Sequence, residues 1–342
     1  MDIYEQSSDS HSMLWQKDSW QSFWKAKQNH HLPHALLLLG KTGIGKASFA
    51  KSFAHAILCS SPHPNGLPCD KCHACHLIRA GSHPDLMYIT AESAGNIIKI
   101  EQIREAVRFV NETSMQNGFK IVIINNAHYM NHYAANALLK TLEEPPPNTL
   151  FILLSIGAKH LPATISSRCQ KLILNTPDPV VTLNWLHSQL PESHSFTKET
   201  QEMALKLAAG APFKALSILT DDILSYRQMV YEGLTALSLS QNDPLQLAAQ
   251  WYERDIETLF HLLFYWLHDI LKLKFTQSPS VIINIDFKDI LIKIAEKLDT
   301  STLLSYLTDV QNRYSKIVSS LNLNRQLLVE ELLIRWVFIN KI

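Results

Sequence analysis

Five consecutive apolar residues, Ala35-Leu36-Leu37-Leu38-Leu39, run directly into Gly40-Lys41-Thr42-Gly43-Ile44-Gly45-Lys46. Few local arrangements accommodate both. A short unbroken apolar run fits a strand buried on both faces, as in a parallel sheet. The spacing that follows matches G-x-x-x-x-G-K, in which a glycine loop turns backbone N–H groups towards phosphate oxygens and opens a helix. Gly40, Gly43 and Gly45 would shape that loop, and Lys46 would reach the terminal phosphates. The next position breaks the pattern. Where a Ser or Thr hydroxyl ligates Mg²⁺, the chain has the methyl group of Ala47. The competing explanation for the string is a glycine turn that lets a helix pack close to the sheet.

The flanking pattern is that of an α/β fold. Phe49, Phe53 and Ile57 sit at helical spacing and predict a helix over 47–58. Strands are expected over Pro84–Ile89, Phe119–Ile124, Thr149–Leu154 and Gln170–Leu174, with helices over Glu101–Asn111 and Ala134–Leu142. Asn131 suits the N-cap of the latter helix, and Pro145-Pro146-Pro147 stops it. Upstream, Trp15, Trp20, Phe23 and Trp24 mark a short amphipathic helix. Strands alternating with helices over this length imply a parallel sheet.

After Pro177 the character changes to short helical patterns, broken at Gly210-Ala211-Pro212. From Ile223 onward the pattern is helical throughout, with turn signals at Asp243-Pro244 and around Pro279. A length of 342 residues fits two or three domains at roughly 150 residues each. The expected division is an α/β domain over 1–175, a small helical domain over 176–220 and an all-helical domain over 221–342. Trp251, Phe264, Trp266 and Trp336 suit either a core or an interface.

Charge narrows the function classes. Lys and Arg total 31 and Asp and Glu total 31, so the chain lacks the basic excess of a protein that grips nucleic acid strongly by itself. Met1–Gln6 is polar and acidic, unlike a signal peptide. The most apolar late run, Leu262–Leu267, is flanked by His261, His268 and Asp269 and falls far short of the ~20 residues that span a bilayer. A soluble, cytoplasmic protein without membrane contact is expected.

Cys59, Cys69, Cys72 and Cys75 form C-x9-C-x2-C-x2-C inside a segment, 59–76, rich in Pro, Gly and His. Two consecutive C-x2-C spacings put three thiols on one tight loop, and Cys59 closes a tetrahedron. Four such ligands fill the coordination of a structural Zn²⁺. Disulfides are the alternative, disfavoured in a reduced cytoplasm, and a free-thiol role is another. His73 and His76 are substitute ligands. Cys169 is isolated and suits a packed small residue.

Other parts of a phosphate-processing site are missing. A P-loop hydrolase carries an Asp, often followed by Glu, at the end of an apolar strand, for Mg²⁺ and for the attacking water. Here the strand ends Ile121-Val122-Ile123-Ile124-Asn125-Asn126, with amides in place of both carboxylates. An amide cannot act as a base at pH 7. Hydrolysis by this chain alone is not expected, while the loop amides and Lys46 leave nucleotide binding open. Ser166-Ser167-Arg168-Cys169 closes the α/β segment, and by itself an Arg after a helical turn fits a surface ion-pairing residue.

Together these residues resemble the δ′-subunit family of the bacterial DNA polymerase III clamp loader, within the AAA+ superfamily. The likeness rests on Leu32-Pro33-His34-Ala35, the degenerate Gly40–Ala47 loop, the four-cysteine insertion, the stretch Ala134–Pro146 ending Leu142-Glu143-Glu144-Pro145-Pro146, Ser167-Arg168-Cys169, and Asn324-Arg325-Gln326-Leu327-Leu328. It runs from about residue 14 to about residue 335. The resemblance implies an AAA+ P-loop domain with a zinc-binding insertion, a helical lid and an all-α collar that joins subunits. It implies a pentameric complex with ATPase subunits and the δ subunit, which opens a sliding clamp and places it on primed DNA. For Arg168 it implies an arginine finger acting on ATP held by the neighbouring subunit. Active relatives carry a lid arginine in G-x-x-R; Gly210-Ala211-Pro212-Phe213 puts Phe there, with Lys214 adjacent as a possible substitute. On residues alone two other classes stay open: an active ATPase, for which Lys46 and the glycines argue, and a zinc-dependent nucleic-acid-binding module, against which the neutral charge argues.

Overall fold

The computed structural model describes residues 15–91, 97–115, 118–190, 196–276, 278, 281–318 and 324–340. Met1–Gln6 and the turn signal at Pro279 lie outside the described residues. The chain divides into two compact units, 1–195 with 208–216, and 196–207 with 217–342. The stretch 176–220 is thus shared between the two.

The first unit is built on a five-stranded parallel sheet in the order β2-β3-β4-β1-β5. Its strands are β1 (Ala35–Leu39), β2 (Leu86–Ile89), β3 (Lys120–Ile124), β4 (Thr149–Ser155) and β5 (Gln170–Ile173). β1 lies between β4 and β5, with Leu37 opposite Leu153 on one side and Lys171 on the other. Every residue of β1, β3 and β4 is buried. Alternate side chains point to opposite faces and both faces are covered, so these runs are apolar apart from Lys120, Thr149 and Ser155 at their ends. Leu36, Leu38, Ile121 and Ile123 pack with Trp20, Phe49 and Phe53 on one face, whereas Leu37, Leu39, Val122 and Ile124 pack with Ile103 and Leu138 on the other. The first face is covered by α1 (Lys17–Gln28) and α2 (Lys46–Leu58), the second by α4 (Ile100–Asn111) and α5 (His132–Glu143). A short α3 (His73–Arg79) lies between α2 and β2. Asn131 caps α5 as its position suggests, its Oδ1 accepting from the Ala134 N–H at 2.8 Å. α6 (Ala163–Ser166) precedes β5, and α7 (Pro179–Gln189) starts with Pro behind the N-cap Asp178. A parallel sheet in this order, with the glycine loop after β1, agrees with the AAA+ fold that the resemblance implies.

The second unit is all-helical. It comprises α8 (Lys198–Leu207), the end of α9 (Pro212–Thr220), and α10 (Ile223–Ser238), α11 (Pro244–Trp251), α12 (Ile256–Thr276), α13 (Lys288–Lys297), α14 (Thr300–Val318) and α15 (Arg325–Asn340). Trp251, Trp266 and Trp336 are at most 1% exposed, which makes them core, and Phe264 packs against that core partly buried. The apolar run Leu262–Leu267 lies within α12, where Leu262, Leu263, Trp266 and Leu267 join the same core. Among the described residues no helix is long and apolar enough to cross a membrane. One buried charge network ties this unit together. Arg227, 2% exposed, donates to Asn284 Oδ1 and to both carboxylate oxygens of Asp286, while buried Asp269 accepts from the backbone N–H groups of Ile283 and Asn284 and from Asn284 Nδ2. Full pairing offsets the cost of burying these charges.

Candidate functional site

The glycine loop joins β1 to α2, with Gly45 at the N-cap of the helix. Gly43 (φ +74°) and Gly45 (φ +96°) occupy the left-handed region that glycine alone enters freely. Neither has room for a side chain. A Cβ at Gly43 would lie 2.5 Å from Lys214 Cβ, and one at Gly45 would lie 2.7 Å from the Phe213 ring. Lys46 is 5% exposed, and its Nζ donates to the carbonyls of Gly40 and Lys41, each at 2.8 Å. The ammonium is therefore bonded into its own loop.

Aromatic residues cover the loop from outside. The Phe213 N–H donates to the Gly43 carbonyl at 2.9 Å, and the Phe213 ring stands 5.0 Å from Trp185 and 6.3 Å from Trp15. Trp15 Nε1 and Gln16 Nε2 both donate to the Ile44 carbonyl. Position 213, where the resemblance to G-x-x-R would call for an arginine, is held by a Phe that is 2% exposed, and Lys214 packs its backbone and Cβ on Gly43. Trp15 reads from sequence only as part of an amphipathic stretch; its place on the loop has no local signal.

Beside the loop, Asn125 and Asn126 follow β3, with the Asn125 N–H donating to the Ile89 carbonyl. His128 lies two residues beyond Asn126, its Nδ1 3.5 Å from Ser155 Oγ at the end of β4. Burial, with His160 and Lys46 nearby, pushes the His128 imidazole down to about 4, so it is neutral at pH 7. Of the residues named here, Lys46 is a cation, Asn125 and Asn126 are amides, Ser155 is a hydroxyl and Ala47 carries a methyl; none is a carboxylate.

At the other end of α2 the four cysteines converge. Cys59 is the C-cap residue of α2, Cys69 lies in the loop, and Cys72 is the N-cap of α3 with Cys75 in its first turn. Their Sγ atoms all lie within 4.8 Å of one another, with separations of 3.9 Å (Cys59–Cys72), 3.9 Å (Cys69–Cys75), 3.4 Å (Cys72–Cys75) and 3.6 Å (Cys59–Cys75). Sulfurs at the corners of a tetrahedron with Zn–S bonds of ~2.3 Å stand about 3.8 Å apart. The thiols are free, with no disulfide between them. Hydrogen bonds from Ser61 and from backbone N–H groups hold the Cys69 thiol down to about 5, while burial pushes Cys75 and Cys59 up. A donor set of four cysteines in this geometry can hold a metal ion. His73 and His76 are not part of it, although His55 and Asp70 lie within the same distance of Cys75.

Arg168 lies between α6 and β5, far along the chain from both sites. Its Nη1 donates to the Thr164 carbonyl at 2.8 Å, and its Nη2 donates to Glu143 Oε1 at the end of α5. Neighbouring Cys169 is buried, and its thiol is pushed up to about 11 by burial, which suits packing rather than nucleophilic chemistry. Glu143 is the residue that sequence reasoning missed here, although it sits inside the stretch that carries the family likeness.

Residues 15–178 match the family described as DNA polymerase III, delta subunit, and residues 221–337 match the one described as DNA polymerase III, delta subunit, C terminal. The DNA polymerase III subunit delta' of Pseudomonas aeruginosa is 33% identical over 322 residues, which cover 94% of this chain and 96% of its own. That of Escherichia coli is 31% identical over 302 residues, 88% of each chain. Of solved structures, a DNA polymerase III gamma subunit-related protein from Thermotoga maritima is similar at a TM-score of 0.48 and 16% identity, across 93% of this chain and 99% of its own. With relatives of one name aligned along nearly the whole sequence and family matches in both units, the chain belongs to the delta' subunit family of DNA polymerase III.

Proposed function

We propose that the chain is a non-hydrolysing subunit of the DNA polymerase III clamp loader. It assembles with ATPase subunits and the δ subunit into a complex that opens a sliding clamp and places it on primed DNA. One observation carries the first half of this: Lys46 spends its ammonium on the Gly40 and Lys41 carbonyls, beside a position 47 without a hydroxyl. The Asn125-Asn126 pair adds the loss of both the Mg²⁺-holding and the base-like carboxylates. A general base alone contributes ~10²–10⁴-fold in rate, so the missing parts compound. The delta' names of the relatives support the second half.

Within such a complex, residues 1–175 act as the AAA+ domain, 176–220 as its lid and 221–342 as the collar joining neighbouring subunits. Cys59, Cys69, Cys72 and Cys75 hold a structural Zn²⁺, which cross-links the end of α2 to α3 and leaves no coordination position for substrate. The complex works in the cytoplasm on DNA, without a membrane.

Arg168 serves the neighbouring subunit as an arginine finger. Its planar guanidinium suits the charge that spreads over a transferring phosphoryl group, and such a contact contributes ~10³–10⁵-fold. A chain with a closed loop of its own then remains necessary for turnover. The test is clamp- and DNA-stimulated ATP hydrolysis by the reconstituted complex. Arg168→Ala is expected to leave assembly intact and to abolish turnover at the adjoining site, and Arg168→Lys to rescue poorly because an ammonium cannot reproduce the fork. Full hydrolysis by an assembled Arg168→Ala complex would return Arg168 to an ordinary surface ion pair.

A further inference from the structure

Arg168 is gripped at two points by two different parts of the first unit. The Thr164 carbonyl belongs to α6, one turn before Arg168, whereas the Glu143 carboxylate comes from the last residue of α5. A guanidinium carries five N–H donors in one plane. Two are engaged here, so three remain on a side chain that is 35% exposed. Two anchors on separate elements fix both the position and the tilt of that plane.

Stability does not account for the arrangement. Glu143 is half exposed, and an ion pair this open to solvent adds little to folding. Glu143 also sits at the negative end of the α5 dipole, where a carboxylate is disfavoured and a cation preferred. A local choice that runs against helix preference without a compensating core contact is expected at functional positions.

We propose that Glu143 is a positioning residue for Arg168. Its carboxylate, with the Thr164 carbonyl, immobilises the guanidinium in the folded subunit, so that the remaining N–H donors meet an anionic phosphate on an adjoining subunit without a further loss of rotamer freedom. The inference rests on the reading of Arg168 as acting on a neighbour. It excludes the opposite device, in which Glu143 sequesters the arginine and assembly must release it.

The experiment measures ATP hydrolysis by the complex of full-length subunits, with clamp and primed DNA present, carrying Glu143→Ala, Glu143→Gln, Arg168→Ala, or Arg168→Ala with Glu143→Ala. Glu143→Ala is expected to lower kcat about two- to tenfold at unchanged KM for ATP, the range set by immobilising one long side chain. Glu143→Gln keeps an accepting oxygen and should fall between it and the natural chain. In the Arg168→Ala background the Glu143→Ala change should have no further effect, as for residues acting through one group. Assembly and thermal midpoint should be unchanged in both Glu143 variants. Equal or higher turnover by Glu143→Ala, with Arg168→Ala defective, would overturn the positioning role and leave that of Arg168 standing. A full additional loss in the Arg168→Ala background, or a loss of assembly or folding in both Glu143 variants, would also overturn it. Full turnover by Arg168→Ala would instead remove the reading underneath.

Discussion

Helix α2 has a candidate ligand site at each end, and the two differ in what holds them together. At its N-terminus the Gly40–Lys46 loop keeps the spacing of a phosphate loop while lacking the hydroxyl at 47 and the carboxylates at 125 and 126. At its C-terminus the four thiols form a complete donor set, 3.4 to 3.9 Å apart where closest. At the loop the protein's own groups bond to one another: Lys46 donates to the Gly40 and Lys41 carbonyls, and Phe213, Trp15 and Gln16 lie against its outside. Four sulfurs this close are a donor set that a metal ion can fill. Thiolates this close repel one another, and a bound cation would offset that repulsion.

The largest expected effect tests the second half of that contrast. One Zn²⁺ per chain should be found by elemental analysis of protein kept reduced. A ligand present at a thousand times its Kd contributes about 4 kcal/mol. At ~2–4 °C per kcal/mol for a unit of this size, chelation should lower the thermal midpoint by about 10 °C. Cys72→Ser should do the same, with added Zn²⁺ no longer restoring the midpoint. A chelator-resistant midpoint in protein free of zinc would show that the thiols need no cation.

A smaller effect tests whether the loop is now held by packing. Gly45→Ala forces φ +96° on an alanine and drives its Cβ towards the Phe213 ring. Left-handed strain and contact together should cost about 1–3 kcal/mol in urea denaturation. Gly81 offers the control, with φ +69° and nothing within 4 Å of an added Cβ. Gly81→Ala should show the backbone strain alone, about 1–2 kcal/mol. Equal costs at the two positions would mean that Phe213 yields readily and that the loop is not packed shut.

Much of the first unit was legible because its signals are local. Five strands and their connecting helices follow from continuous apolar runs and helical spacing, and Asn131 falls at the N-cap where its side chain belongs. The cysteine spacing announced a cluster because short spacings leave thiols little room to diverge. What sequence left open was long-range. Trp251, Trp266 and Trp336 fit core or interface equally until helices far apart in the chain are packed together, as their burial now shows. Trp15 on the Ile44 carbonyl and Glu143 on Arg168 join residues 29 and 25 positions apart, which no periodicity encodes. The Phe at position 213 was visible as a departure from G-x-x-R, yet its burial against Gly45 was not.

The smallest expected effect concerns Mg²⁺ at the N-terminal end of α2. In a working P-loop site the metal bridges nucleotide oxygens to a loop hydroxyl and a strand carboxylate, so its presence strengthens binding. Here Ala47 offers a methyl and Asn125 a neutral amide, and Lys46 must leave two carbonyls before meeting a phosphate. Any ATP affinity should therefore be weak and should change by less than about threefold when Mg²⁺ replaces chelator in the buffer, about 0.6 kcal/mol or less. Calorimetric titration of the full chain with ATP, with and without the metal, measures it directly. Ala47→Ser alone should not raise the ratio, because the carboxylate is still missing and Phe213 still covers the loop. A tenfold or larger Mg²⁺ dependence in the natural chain would mean that the loop opens and recruits metal ligands from elsewhere, and the contrast between the two ends of α2 would collapse.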